Sequence, residues 1–133
     1  MGNDFEEIGM SEQEFERQYV EATRRGEERF ARAPKAASVK FDRQAKRLIV
    51  ELKSGAVLII PTELMQGLRG ASAELIGEVE LWMDGMYLHW EKLDADFEVS
   101  SLMRGVFGTP KWMSELNLTY VGAEDIPPQK KVA

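Results

Sequence analysis

The side chains best suited to chemistry crowd into residues 79–99, VELWMDGMYLHWEKLDADFEV, which hold two of the three Trp and the only His of the chain. With one imidazole available, a general base, an imidazole metal ligand or a Ser-His-Asp relay must use His89. Asp94 and Asp96 follow it and Ser100 and Ser101 lie just beyond, so the groups of a hydrolytic triad are all at hand. No G-x-S-x-G elbow occurs to present either serine, however. His89 reads more simply as an amphipathic strand residue, hydrogen-bonded at a sheet surface. Glu91, Asp94, Asp96 and Glu98 are oxygen donors of the kind that hold Ca²⁺ or Mg²⁺, yet the twelve-position spacing of an EF-hand loop is missing. The two Asp fit turns, or the start of the following helix, where the helix dipole favours negative charge. Neither G-x-x-x-x-G-K-[ST] nor G-x-G-x-x-G is present to cradle phosphate. The expectation is a non-enzymatic chain with no catalytic residue, no metal and no cofactor.

The same stretch can serve as a surface. Core packing accounts for most of the seven Met and for much of the cluster Trp82, Tyr87, Trp90 and Trp112. Trp82, however, is out of phase with Leu81 and Met83, so both faces of its strand carry bulk. One face must meet either a helix or a partner, and Met and Trp are both frequent in binding surfaces. The candidate protein-binding residues are Trp82, Met86, Tyr87, His89, Trp90, Asp94 and Asp96.

The elements that would position these groups follow from periodicity. Ser11 and Glu14 form an S-x-x-E capping box that opens a long helix, and Pro34 stops it after about Ala33. Phe15, Tyr19, Ala22, Gly26 and Phe30 share one apolar stripe of that helix. Gly26 on the stripe suggests either close approach to another backbone or plain tolerance. Alternating apolar runs at 38–42, 47–53 and 56–60 then predict a three-stranded meander, with Ser54-Gly55 as a two-residue turn. Leu48, Val50 and Leu52 should face one way, and the all-apolar third run predicts a central or helix-covered strand. Thr62 and Ser72 are placed to cap two short crossover helices, the first running through Leu68. Asp84-Gly85 marks a hairpin between residues 79–83 and 87–90. Residues 91–98 read as a polar loop, Ser100 or Ser101 as a cap, and Thr109-Pro110 as the start of a last helix.

The predicted fold is therefore α+β. It has a long N-terminal helix, and a meander plus hairpin forming one curved antiparallel sheet of about five strands. Short crossover helices and two short C-terminal helices complete it. At 133 residues the chain has room for one domain, expected over 11–117 with flexible ends at 1–10 and 118–133. The composition, 44% hydrophobic and 30% charged, excludes a wholly disordered chain. The absence of Cys removes thiol nucleophiles and thiolate metal sites, and with no basic, apolar leader it points to the cytoplasm. No apolar run reaches the roughly 20 residues of a membrane helix. A formal charge of −6 works against nucleic-acid binding. The one basic stripe, Arg24, Arg25, Arg29, Arg32, Lys35 and Lys40, is interrupted by Glu21, Glu27 and Glu28.

The segments SVKFDRQAKRLIVELKSGAVLIIP, LMQGLRGAS, YLHWEKLDADFEVSSLMRGVFG and TPKWM together resemble the bacterial domain-of-unknown-function family 2442. The resemblance spans residues 15–116. Its most specific piece is LHW followed by L-D-A-D and V-x-x-L-M-R-G. It implies a small α+β domain with a curved antiparallel sheet and no established enzymatic activity. Some relatives look like regulatory or antitoxin-like partners of another small protein, and others carry a DNA-binding helix-turn-helix or a basic tail. The tail here, LNLTYVGAEDIPPQKKVA, departs from that last pattern with two adjacent Lys and two acids.

The functional expectation is a protein-interaction or regulatory module, antitoxin-like in its most specific form, with a protein partner and with self-association also compatible. Two alternatives stand beside it: a nucleic-acid-binding regulator using the Arg24–Lys40 stripe, and a small metal-binding or hydrolytic site at His89, Asp94 and Asp96.

Overall fold

The computed structural model describes residues 11–117, and the expected flexible ends lie outside that range. The described residues divide into two units, 11–33 and 34–117.

The first unit is helix α1, Glu12–Arg32. Its capping box forms as the sequence requires: Glu14 N–H donates to Ser11 Oγ at 3.1 Å and Ser11 N–H to Glu14 Oε2 at 3.4 Å. Acidic residues occupy the first turn and basic ones the last, in the sense the helix dipole favours. No residue of α1 is buried.

The second unit begins with β1 (Ala36–Asp42), β2 (Arg47–Leu52) and β3 (Val57–Pro61), an antiparallel meander in the order β1-β2-β3. Asp42 shapes the first turn by accepting from the N–H groups of Gln44 and Ala45, both at 3.1 Å. Leu52 N–H donates to Ala56 O, so residues 53–55 form the second turn and the expected two-residue loop is corrected to three. Leu48, Val50 and Leu52 turn inward and are buried, as their period-two spacing demands. The third run is not central: β3 is an edge strand, with Val57 and Ile59 exposed on its outer side. Thr62 does not cap a helix through Leu68. It is buried, its N–H and hydroxyl both donate to Lys46 O, and only a 3₁₀ turn, Thr62–Leu64, follows. Met65 and Leu68 still reach the core. Helix α2 (Ala73–Gly77) is capped by Ser72, which accepts from Leu75 N–H at 3.3 Å.

A second antiparallel sheet follows, built from β4 (Glu80–Trp82), β5 (Tyr87–Trp90) and β6 (Ala95–Glu98) in that order. The single curved sheet of about five strands is thus corrected to two separate three-stranded sheets within an α+β fold. The reason lies in residues 95–98. Read as loop, they alternate Ala95 and Phe97 inward with Asp96 and Glu98 outward, and they pair at once with the neighbouring β5. The hairpin is thereby completed by its own downstream segment. Where its turn reaches the first sheet, Ala36 N–H donates to Gly85 O at 2.7 Å, beside an exposed ion pair from Lys53 to Asp84 at 2.6 Å.

Helix α3 (Val99–Met103) has Glu98 at its N-cap position, so Ser100 and Ser101 lie inside it rather than capping it. Helix α4 (Pro110–Leu116) has the predicted start: Thr109 Oγ1 accepts from Trp112 N–H at 3.2 Å, with Pro110 in the first turn. One buried cluster joins both sheets, including Leu48, Val50, Met65, Leu88, Trp90 and Val99.

Candidate functional site

The second sheet has a dry face and a wet one. Register places Leu81 opposite Leu88, Leu88 opposite Phe97 and Trp90 opposite Ala95, and these point to the core. The other face carries two cross-strand rows, Glu80–His89–Asp96 and Trp82–Tyr87–Glu98. Neighbouring rows on one face lie within reach of long and aromatic side chains. The Trp82 ring accordingly stacks on the His89 imidazole, with centroids 3.6 Å apart and planes 25° from parallel.

His89 is buried, at 6% exposure, yet both ring nitrogens are engaged. Nδ1 bonds Asp96 Oδ1, and Nε2 bonds Glu91 Oε2 at 2.5 Å. Ionised carboxylates only accept hydrogen bonds, so satisfying both at once requires the doubly protonated imidazolium. The Asp96 bond above all, then the Glu91 bond, raises the His89 pKa above its ordinary 6.5, and desolvation opposes them without prevailing. The stacked indole favours the same charged form. In this state neither ring nitrogen can accept a proton from a serine. The Ser100 hydroxyl instead donates to Glu98 Oε1 at 2.9 Å, so the structure does not assemble His89, Asp94 and the serines into a relay. Among the described residues no group of three or more His, Asp and Glu is disposed to hold a metal ion.

The candidate residues separate by depth. Met86 and Trp90 are buried in the core, where the Trp90 indole N–H donates to Ile76 O at 2.8 Å and its ring meets Phe97 edge-on. They present nothing to a partner in this fold. Tyr87 is half-buried on the wet face, and Asp96 is committed to His89. Asp94 sits in the β5–β6 turn with φ 48°, away from the imidazole's hydrogen bonds, and lines an open cleft of about 550 Å³ beside β6 with Asp96, Glu98 and Ser101. Trp82 is 43% exposed and its neighbour Met83 57% exposed. Trp112 belongs elsewhere: its indole N–H donates to Leu64 O at 2.8 Å and the Arg69 guanidinium lies 5.4 Å from its ring.

One contributor, Glu80, is not among the sequence candidates, and Glu91, considered there only as an oxygen ligand for a cation, has a different role. Glu80 accepts from the Trp82 indole N–H at 3.2 Å, and Glu91 closes the second side of His89. Each lies two residues from the aromatic it holds, the strand period, which was the available signal. In the basic stripe, Arg25 pairs with Glu21 within α1, while Lys40 belongs to β1 of the other unit.

No curated protein matches this chain. Among solved structures it is similar to a protein of unknown function from Rhodospirillum rubrum, with 45% identity and a TM-score of 0.58, over 60% of this chain and 96% of that one. It also shares its fold with an uncharacterized protein from Chromobacterium violaceum studied by solution NMR, with 23% identity and a TM-score of 0.59, over 74% of this chain and 89% of the other. The family model for proteins of unknown function, DUF2442, matches residues 36–108, which run from the first residue of β1 to the glycine before the α4 cap, and the chain belongs to that family.

Proposed function

We propose that this protein is a non-enzymatic, regulatory protein-interaction module that docks through the wet face of its second sheet. The observation that carries the reading is Trp82: a large aromatic ring left 43% exposed, yet fixed on one face by the His89 stack and at its N–H edge by the Glu80 hydrogen bond. Holding the indole in one orientation before a partner arrives lowers the ordering entropy of association. Met83, exposed beside it, adds an adaptable apolar contact. The chemistry of His89 supports a surface role over a catalytic one, since its two nitrogens are both occupied in holding that surface. A chain without Cys suits a cytoplasmic setting for such a module.

A photo-crosslinking residue in place of Met83 tests this in the native cells. The expected result is a discrete protein adduct that disappears when Trp82→Ala is added, and that does not form from the same crosslinker at Gln44 in the β1–β2 turn. If Met83 yields no adduct beyond the Gln44 control, and the purified protein stays monomeric at high concentration, the reading fails.

A further inference from the structure

We propose that the wet face of the second sheet receives a basic segment of a partner protein, with an arginine guanidinium stacked on the open side of the Trp82 indole. This rests on the reading of that face as protein-binding and names the chemistry of what it binds. One side of the ring is covered by His89, and the exposed remainder gives a planar group room to lie against the other. Glu80 and Asp96 share the face, and Glu91 reaches it through His89, so three carboxylates stand against one imidazolium around the indole. The adjoining turn adds Lys92, which is paired with Glu78. The excess negative charge selects a cationic partner and repels an acidic one. A guanidinium suits it better than an ammonium, because it is planar, stacks on aromatic faces and presents a fork of donors to carboxylates at the rim. The other exposed apolar face of this unit, Val57 and Ile59 on β3, shares its side of the first sheet with Lys40, Asp42, Arg47 and Glu51 and so carries no comparable bias of charge.

The test titrates ¹⁵N-labelled full-length protein with the capped peptide Gly-Arg-Gly-Arg-Gly at roughly physiological salt, where long-range attraction is screened. The amides of β4, β5 and β6 and the Trp82 indole N–H should shift together. The matched lysine peptide should bind more weakly. Trp82→Leu, which keeps apolar area but loses the π face, should weaken the arginine peptide by about threefold, the scale of an exposed cation–π contact. Trp82→Ala should weaken it at least as much. Shifts confined to the acidic first turn of α1, equal binding by Trp82→Leu, or no binding at all would overturn the inference. So would the same amides moving with protein concentration alone, which identifies a second copy as the occupant. Failure here with the Met83 crosslink intact removes the arginine partner and leaves the protein-binding face standing.

Discussion

Replacing Gly85 with Ala should destabilise the fold by straining one contact between the two sheets, and the geometry allows the cost to be divided. Gly85 has φ +90° at the β4–β5 turn, and its carbonyl accepts the Ala36 N–H at 2.7 Å. A Cβ at this position would lie 2.0 Å from the Ala36 carbonyl oxygen and 2.9 Å from its N and C, all backbone atoms that cannot swing aside. Gly55 is the control: its φ is +98°, but an added Cβ meets nothing within 4 Å. Both substitutions incur the left-handed backbone penalty of about 1–2 kcal/mol. Gly85→Ala adds overpacking of about 1–3 kcal/mol. It also orphans the N–H of the buried Ala36, at about 1–3 kcal/mol. The two variants should therefore differ by about 2–6 kcal/mol in chemical denaturation followed by circular dichroism. In a domain of this size each kcal/mol moves the midpoint by about 4–8 °C, so Gly85→Ala should melt at least about 8 °C below Gly55→Ala. Variants that agree within about 1 kcal/mol would show that the approach of Ala36 to Gly85 does not join the sheets.

Trp90→Phe removes the donor to Ile76 O and leaves that carbonyl without its indole partner inside the fold, and should cost about 1–3 kcal/mol before any cavity term, read from urea midpoints. On β3, Ile60→Ala should cost about 2–5 kcal/mol, whereas Ile59→Lys on the outer side should stay within about 0.5 kcal/mol. Equal losses would contradict the placement of β3. The His89 pKa is raised by folding, so its bonds to Asp96 and Glu91 contribute stability that is fully present below the ordinary 6.5 and is lost as pH rises through the higher folded value. The gap in stability between wild type and His89→Gln, measured from about pH 5 to about pH 9, should close toward the alkaline end. A gap that widens with pH would reverse the assignment of the imidazolium.

Much of the local structure was legible because it is set by neighbours in the chain. The Ser11–Glu14 box, the Ser72 and Thr109 caps, the inward set Leu48, Val50 and Leu52, and the Asp84-Gly85 reversal each depend on side chains within a few residues of the backbone they govern. Thr62 was misplaced because its partner, Lys46 O, is distant in sequence, and a threonine before an apolar run looks the same whether it caps a helix or closes a sheet corner. Residues 95–98 were misread because two carboxylates in four positions resemble a loop. Pairing with β5 hides Ala95 and Phe97 and leaves Asp96 and Glu98 on the wet side.

The sequence by itself determined that His89, Trp82 and the acids of residues 79–99 are concentrated together, that they ride on a hairpin, and that the fold mixes α and β. Only the tertiary structure decided which of them face water. Burial is assigned by the whole sheet: because β6 joins β5 and the core claims one face, Met86 and Trp90 go inside while Trp82 stays out. The same pairing brings Asp96 to His89 across the strands, and it is this contact, together with Glu91, that engages both nitrogens of the lone histidine beneath an exposed indole.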